Sequence, residues 1–89
     1  MEVILDCTRF TDKGTAHAYL KEQFGFPDYY GNNLDALYDC LVEVSDCRIL
    51  LQNPTALSAM GEYGAALLET LQDAARDNPS LELSAVNLN

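Results

Sequence analysis

Apolar positions along this chain follow two rhythms. Val3-Ile4-Leu5, Ile49-Leu50-Leu51 and the stretch from Leu81 to Leu88 are short, dense runs of the kind that form strands. The first reads as a strand buried on both faces, and Arg48 to Gln52, around Ile49-Leu50-Leu51, as the second strand. The last carries polar residues at Glu82, Ser84 and Asn87. Between the runs, apolar residues recur at helical spacing: Ala16, Leu20 and Phe24; then Leu34, Leu37, Leu41 and Val44; then Leu67, Leu68, Leu71, Ala74 and Ala75.

Punctuation supports these boundaries. Thr11 or Asp12 caps the first helix, and Gly25 with Pro27 ends it. Asn33 is placed to cap the second helix, with Gly31 giving its turn backbone freedom. Asn53-Pro54 opens a short helix with an apolar side at Ala56, Leu57 and Met60, as a cap followed by proline should. Gly61 and Gly64 punctuate the chain before the last helix, which Asn78-Pro79 stops. The prediction is one domain spanning residues 1–89, an α/β fold. A three-stranded parallel sheet carries about four helices, mainly on one side, in two layers.

Charge changes the picture. The chain has 89 residues and a formal net charge of −9. Such a surface is repelled by nucleic acid and by anionic membrane, and it favours a basic partner. No apolar run reaches the roughly 20 residues that span a bilayer. Met-Glu-Val-Ile-Leu-Asp lacks the basic region and cleavage site of a secretory signal. Cys7, Cys40 and Cys47 have no paired spacing, and they read as reduced thiols in a cytoplasmic protein.

Catalytic signals are weak. His17 has no nucleophile arranged beside it and reads as a surface or boundary residue. Gly61-Glu-Tyr-Gly64 lacks the lysine and the setting of a phosphate loop. The expectation is a protein that is not an enzyme and needs no cofactor.

The richest stretch runs from Phe26 to Asp39: Phe-Pro-Asp-Tyr-Tyr-Gly-Asn-Asn-Leu-Asp-Ala-Leu-Tyr-Asp. No basic residue lies between Lys21 and Arg48. Asp35, Asp39 and Glu43 are spaced i, i+4, i+8, opposite the leucine stripe, with Asp46 beyond them. Like charges at this spacing cost a helix a few tenths of a kcal/mol per pair, and no lysine relieves them. Carboxylates along one helix converge poorly on a divalent ion, so a metal site is not expected. Tyr29 and Tyr30 precede a tight turn that cannot bury both rings, and Tyr38 falls at the edge of the acidic face. Exposed tyrosine beside carboxylate has the composition of a protein–protein contact.

This contiguous tract resembles the signature of the barstar family, inhibitors of barnase-type ribonucleases. The resemblance extends over the whole chain in length and element order, and identity is thin outside residues 24–41. It implies a small parallel sheet with helices packed against it. It also implies that the second helix and the loop before it plug the active site of a basic ribonuclease, extracellular or toxin-type. On that resemblance Asp39 takes the phosphate position, Asp35 pairs with arginine, and Tyr29 packs on the catalytic histidine. Asn33, Leu34 and Tyr38 line the contact, and the free protein is a monomer.

The chain departs from the family's namesake at several positions. Tyr38 and Val44 replace tryptophans, Glu43 replaces a glycine, and Arg76, beside Asp77, replaces an acidic residue. These departures bear on which enzyme is the target. The alternative reading is a regulatory module of the same fold that binds another basic protein without inhibiting it.

Overall fold

The computed structural model describes residues 1–86. Strands β1 (Glu2–Asp6), β2 (Cys47–Gln52) and β3 (Leu81–Val86) form one parallel sheet in the order β1-β2-β3. Between β1 and β2 lie a single 3-10 turn (Cys7–Arg9) and helices α1 (Lys13–Phe24) and α2 (Leu34–Leu41). Between β2 and β3 lie a 3-10 helix (Pro54–Met60) and α3 (Glu62–Asp77). The α/β architecture is the one the apolar rhythm predicts. Asn87 and Leu88, assigned by that rhythm to the last strand, lie outside the described residues.

The sheet is buried on one face, not two. Val3, Leu5, Cys47, Ile49, Leu51 and Leu81 face the helical layer and are buried, whereas Ile4 is 40% exposed and Leu50 half-buried. The register sets Glu2, Arg48 and Glu82 side by side on the open face, where Arg48 Nε meets Glu82 Oε2 at 3.1 Å. A chain this short supplies one helical layer, so a run of three apolar residues projects its middle member outward. Leu20, Leu37, Leu41, Leu67 and Leu71 complete the core from the helices. Each such side chain contributes about 1.5–3 kcal/mol by leaving water.

Two helix starts differ from their sequence reading. Asn53 adopts a left-handed conformation (φ 56°) and its side chain caps nothing, so Pro54 begins the 3-10 helix without a side-chain cap. Gly64 is not punctuation. It lies inside α3, where a Cβ would stand 2.0 Å from the Leu57 carbonyl oxygen. Only glycine allows the backbone of α3 to press that closely on the preceding segment.

Cys7, at the end of β1, is fully buried, and its Sγ points at the Leu5 carbonyl at 3.9 Å. Burial pushes this thiol up to about 11. Cys47 is likewise buried, Cys40 half-buried, and all three are free. No helix among the described residues is long and apolar enough to cross a membrane.

The acidic helix and its entry loop as a candidate functional site

The loop before α2 is built from local signals. Asp12, the cap of α1, accepts from Thr15 N–H at 2.8 Å, and Gly25 closes that helix at φ 68°. Pro27 then blocks its continuation, and Tyr30 N–H donates to the Pro27 carbonyl at 2.9 Å, turning the chain. The left-handed residue here is Asn32 (φ 53°) rather than Gly31. Asparagine tolerates that region because its short amide bonds locally. Next, Asn33 Oδ1 accepts from Ala36 N–H at 2.7 Å, while its Nδ2 donates to the Gly31 carbonyl at 3.1 Å. One side chain thereby caps the helix and folds the loop onto it.

Tyr29 and Tyr30 part company in this turn. Tyr29 is 80% exposed, and Tyr30 is buried. The Tyr30 ring lies 4.8 Å from Phe26, which stacks on Phe24 at 5.1 Å. Its hydroxyl meets Nδ1 of His17 at 2.7 Å, and the other ring nitrogen of His17 meets the Tyr63 hydroxyl at 2.5 Å. His17 is fully buried, which corrects its reading as a surface or boundary residue. Burial, reinforced by Lys13, holds its pKa below the usual imidazole value, so the ring stays neutral with one nitrogen donating and one accepting. Its spacing carried a signal: His17 stands three residues before Leu20, on the apolar face of α1.

On α2, Leu37 and Leu41 are buried, and Leu34 and Tyr38 are half-buried. Asp35 and Asp39 are exposed on the opposite side. Among the described residues neither carboxylate has an ion-pair partner. Asp35 lies in the first helical turn, where the backbone N–H groups favour negative charge.

The acidic column is shorter than its spacing predicts. The helix ends at Leu41, and Glu43 occupies the turn after it instead of a third helical tier. Asp46 lies further along with φ 47°, its carbonyl taken by the N-terminal amine at 2.6 Å. The cause is Asn78, at the far end of α3. Its Nδ2 donates to the carbonyls of Leu41 and Val44, at 2.9 Å each, and its Oδ1 accepts from Ser80 N–H. These bonds satisfy the last carbonyl of α2 and that of Val44 in the turn beyond it, and they fix the break.

A second tie joins α2 to α3. The Tyr38 hydroxyl donates to the Asp77 carboxylate, which also receives Arg76 (Nε to Oδ1, 3.1 Å). Arg76 reaches Asp73 as well, at 3.0 Å. Arg76, then Tyr38, hold the Asp77 carboxyl below its ordinary value, and Asp77 raises the Tyr38 phenol in turn. Arg76 is therefore bracketed by two aspartates of its own helix. Its sequence neighbour Asp77 was visible, but the bond to Tyr38 was not.

The predicted residues thus fall on one loop–helix unit. Tyr29 stands at its entrance, Asn33 forms its cap, and Leu34, Asp35, Tyr38 and Asp39 lie on the helix with Glu43 after it. No group of three or more His, Cys, Asp or Glu among the described residues is arranged to hold a metal ion.

Comparison with known proteins gives the family. The model of the family described as Barstar (barnase inhibitor) matches residues 1–86. A Bacillus subtilis (strain 168) protein named "Putative ribonuclease inhibitor YrdF" is 37% identical over 76 residues, covering 82% of this chain and 84% of that protein. With the family model covering nearly the whole chain and the entry loop and acidic helix in place, this protein belongs to the barstar family.

Proposed function

We propose that this protein is a non-catalytic inhibitor of a basic, barnase-like ribonuclease, and that it blocks the enzyme's active site with α2 and the loop before it. The observation that carries this reading is the exposed, unpaired pair Asp35 and Asp39 on a helix fixed at both ends, in a chain of the barstar family. A site that holds RNA phosphates presents converging cations. Carboxylates on a rigid helix replace those phosphates with little loss of conformational freedom on binding. Asp39 takes the central phosphate position and Asp35 pairs with an adjacent arginine. Tyr29 supplies an aromatic face for the catalytic histidine. Asn33, Leu34 and Tyr38 fill the contact around them, with Glu43 at its end.

The net charge of −9 steers a basic enzyme toward this surface and keeps free copies apart as monomers in the cytoplasm. Arg76 does not oppose the approach, because Asp73 and Asp77 offset it.

Titration of a barnase-type ribonuclease with the protein tests the reading. The expected result is loss of activity at one-to-one stoichiometry, with association slowed about tenfold or more from low to high salt. Binding with full ribonuclease activity retained would favour a regulatory module over an inhibitor. No binding would overturn the inhibitor reading and leave the module that binds another basic protein.

A further inference from the structure

Residues 27–33 carry the entry loop, and Tyr30 is their single buried side chain. Pro27, Asp28, Tyr29, Gly31, Asn32 and Asn33 are all exposed. Asn33 and the exposed Lys21–Asp28 ion pair at 3.3 Å tie the loop at its surface, but its one anchor in the core is the Tyr30 ring, which is fixed at its tip by Nδ1 of His17 at 2.7 Å. His17 is rigid in turn. It is fully buried on α1, and its Nε2 is engaged by the Tyr63 hydroxyl of α3, whose ring is covered by Lys13 Nζ at 5.1 Å. Packing against Phe26 sets the plane of the Tyr30 ring but leaves its reach into the core free, because an apolar contact has no direction. The hydrogen bond supplies that direction.

We propose that His17 is a positioning residue for partner binding: by holding the Tyr30 hydroxyl through Nδ1 it sets where the exposed Tyr29 ring stands. The binding part of this inference rests on the inhibitor reading; the ordering of the loop does not. Tyr29 is the next residue to the anchor, so a small rotation of Tyr30 displaces the whole exposed ring. Tyr63, bonded to the other nitrogen, steadies the imidazole from α3. The two nitrogens thus have separate duties, one for the loop and one for the fold.

The two duties can be separated by substitution. An asparagine amide reaches about where Nδ1 lies, and a glutamine amide about where Nε2 lies. His17→Asn therefore keeps a partner for Tyr30, and His17→Gln keeps one for Tyr63. Among residues 28–33 the Tyr30 N–H is the one with a hydrogen bond, to the Pro27 carbonyl at 2.9 Å. Exchange of that amide in the free protein is expected to accelerate in His17→Leu and His17→Gln and to be largely restored in His17→Asn. Tyr30→Phe, which removes only the hydroxyl and keeps the core ring, is expected to deprotect the same amide. Exchange needs no ribonuclease, so it decides the loop's ordering even where no inhibition occurs.

In complex with a barnase-type ribonuclease, His17→Gln should speed dissociation roughly three- to tenfold, the worth of one hydrogen bond. That effect should vanish in a Tyr29→Ala background, where no ring remains to be placed. A loss of general stability would not depend on Tyr29. Equal deprotection in His17→Asn and His17→Gln, or an unchanged dissociation effect without Tyr29, would overturn the assignment.

Discussion

Tyr29 and Tyr30 are neighbours in the chain and opposites in the fold, one 80% exposed and the other 6%. The same division runs through the whole unit they introduce. Its outer side, Tyr29, Asp35 and Asp39, consists of groups without ion pairs among the described residues. Its underside, Tyr30, His17 and Asn78, consists of polar groups whose hydrogen bonds are made inside the protein. No buried side-chain nitrogen or oxygen among the described residues is left without a partner. On the inhibitor reading the outer side keeps its bonding capacity for the ribonuclease, while the underside uses its own to hold that surface still. Damage to the first should weaken binding and spare the fold. Damage to the second should do the reverse.

The largest expected effect is on the outer side. Asp39→Ala should weaken ribonuclease binding by about 3–5 kcal/mol, because the enzyme's cations would be buried without their counterion. The loss should appear mainly as faster dissociation in a surface-binding experiment. Urea unfolding of the same variant should show unchanged stability, or a gain of about 0.2–0.5 kcal/mol from relief of the i, i+4 repulsion with Asp35. A substantial loss of stability would break the division.

Asn78→Ala is the counterpart on the underside. It strands the Val44 carbonyl and leaves that of Leu41 only the long bond from Val44 N–H at 3.4 Å, and the expected cost is about 2–4 kcal/mol of unfolding free energy by urea titration. Binding under conditions where the variant stays folded should keep its salt dependence, since the carboxylates are untouched.

A subtler effect comes from His17. Its folded pKa lies below the unfolded value of about 6.5. Below that value the unfolded chain takes up a proton that the folded protein refuses. Stability is therefore constant above about pH 6.5 and falls as pH drops toward the folded pKa, by at most about 1.4 kcal/mol per pH unit. Thermal melts across this range should show the fall in the wild type, and His17→Asn should remove this component. Carboxylates such as Asp6 and Asp12, held low by bonds to Thr8 and Thr15, lose their contributions only at more acidic pH, so the histidine step stands apart.

What the sequence made legible follows the range of the interaction. Asn33 bonds three residues ahead and Asp12 three residues ahead, so both caps could be read from adjacent letters. The leucine stripe of α2 and the exposure of Asp35 and Asp39 followed from helical period alone. Asn78 acts across 37 residues, the Tyr38–Asp77 bond across 39, and the His17–Tyr63 bond across 46. Nothing local marks these pairs. This is why the apolar pattern through Val44 promised a longer helix than the one that formed. Gly64 was misread for the same reason, since the backbone it admits belongs to another segment. The one-sided sheet was a question of supply: alternation and a buried run look alike over three residues, and only the size of the helical layer separates them.

The cysteines give this architecture a practical consequence. A thiol reacts through its thiolate, so Cys7, buried and pushed up to about 11, is shielded both by geometry and by its proton. Cys40 sits half-buried within the acidic helix, and Cys47 lies buried at the start of the central strand. Alkylation rates at the three sites therefore read the helix, the central strand and the 3-10 turn after the edge strand separately. The molecule already carries a graded chemical gauge of its own local opening, with no label to be introduced.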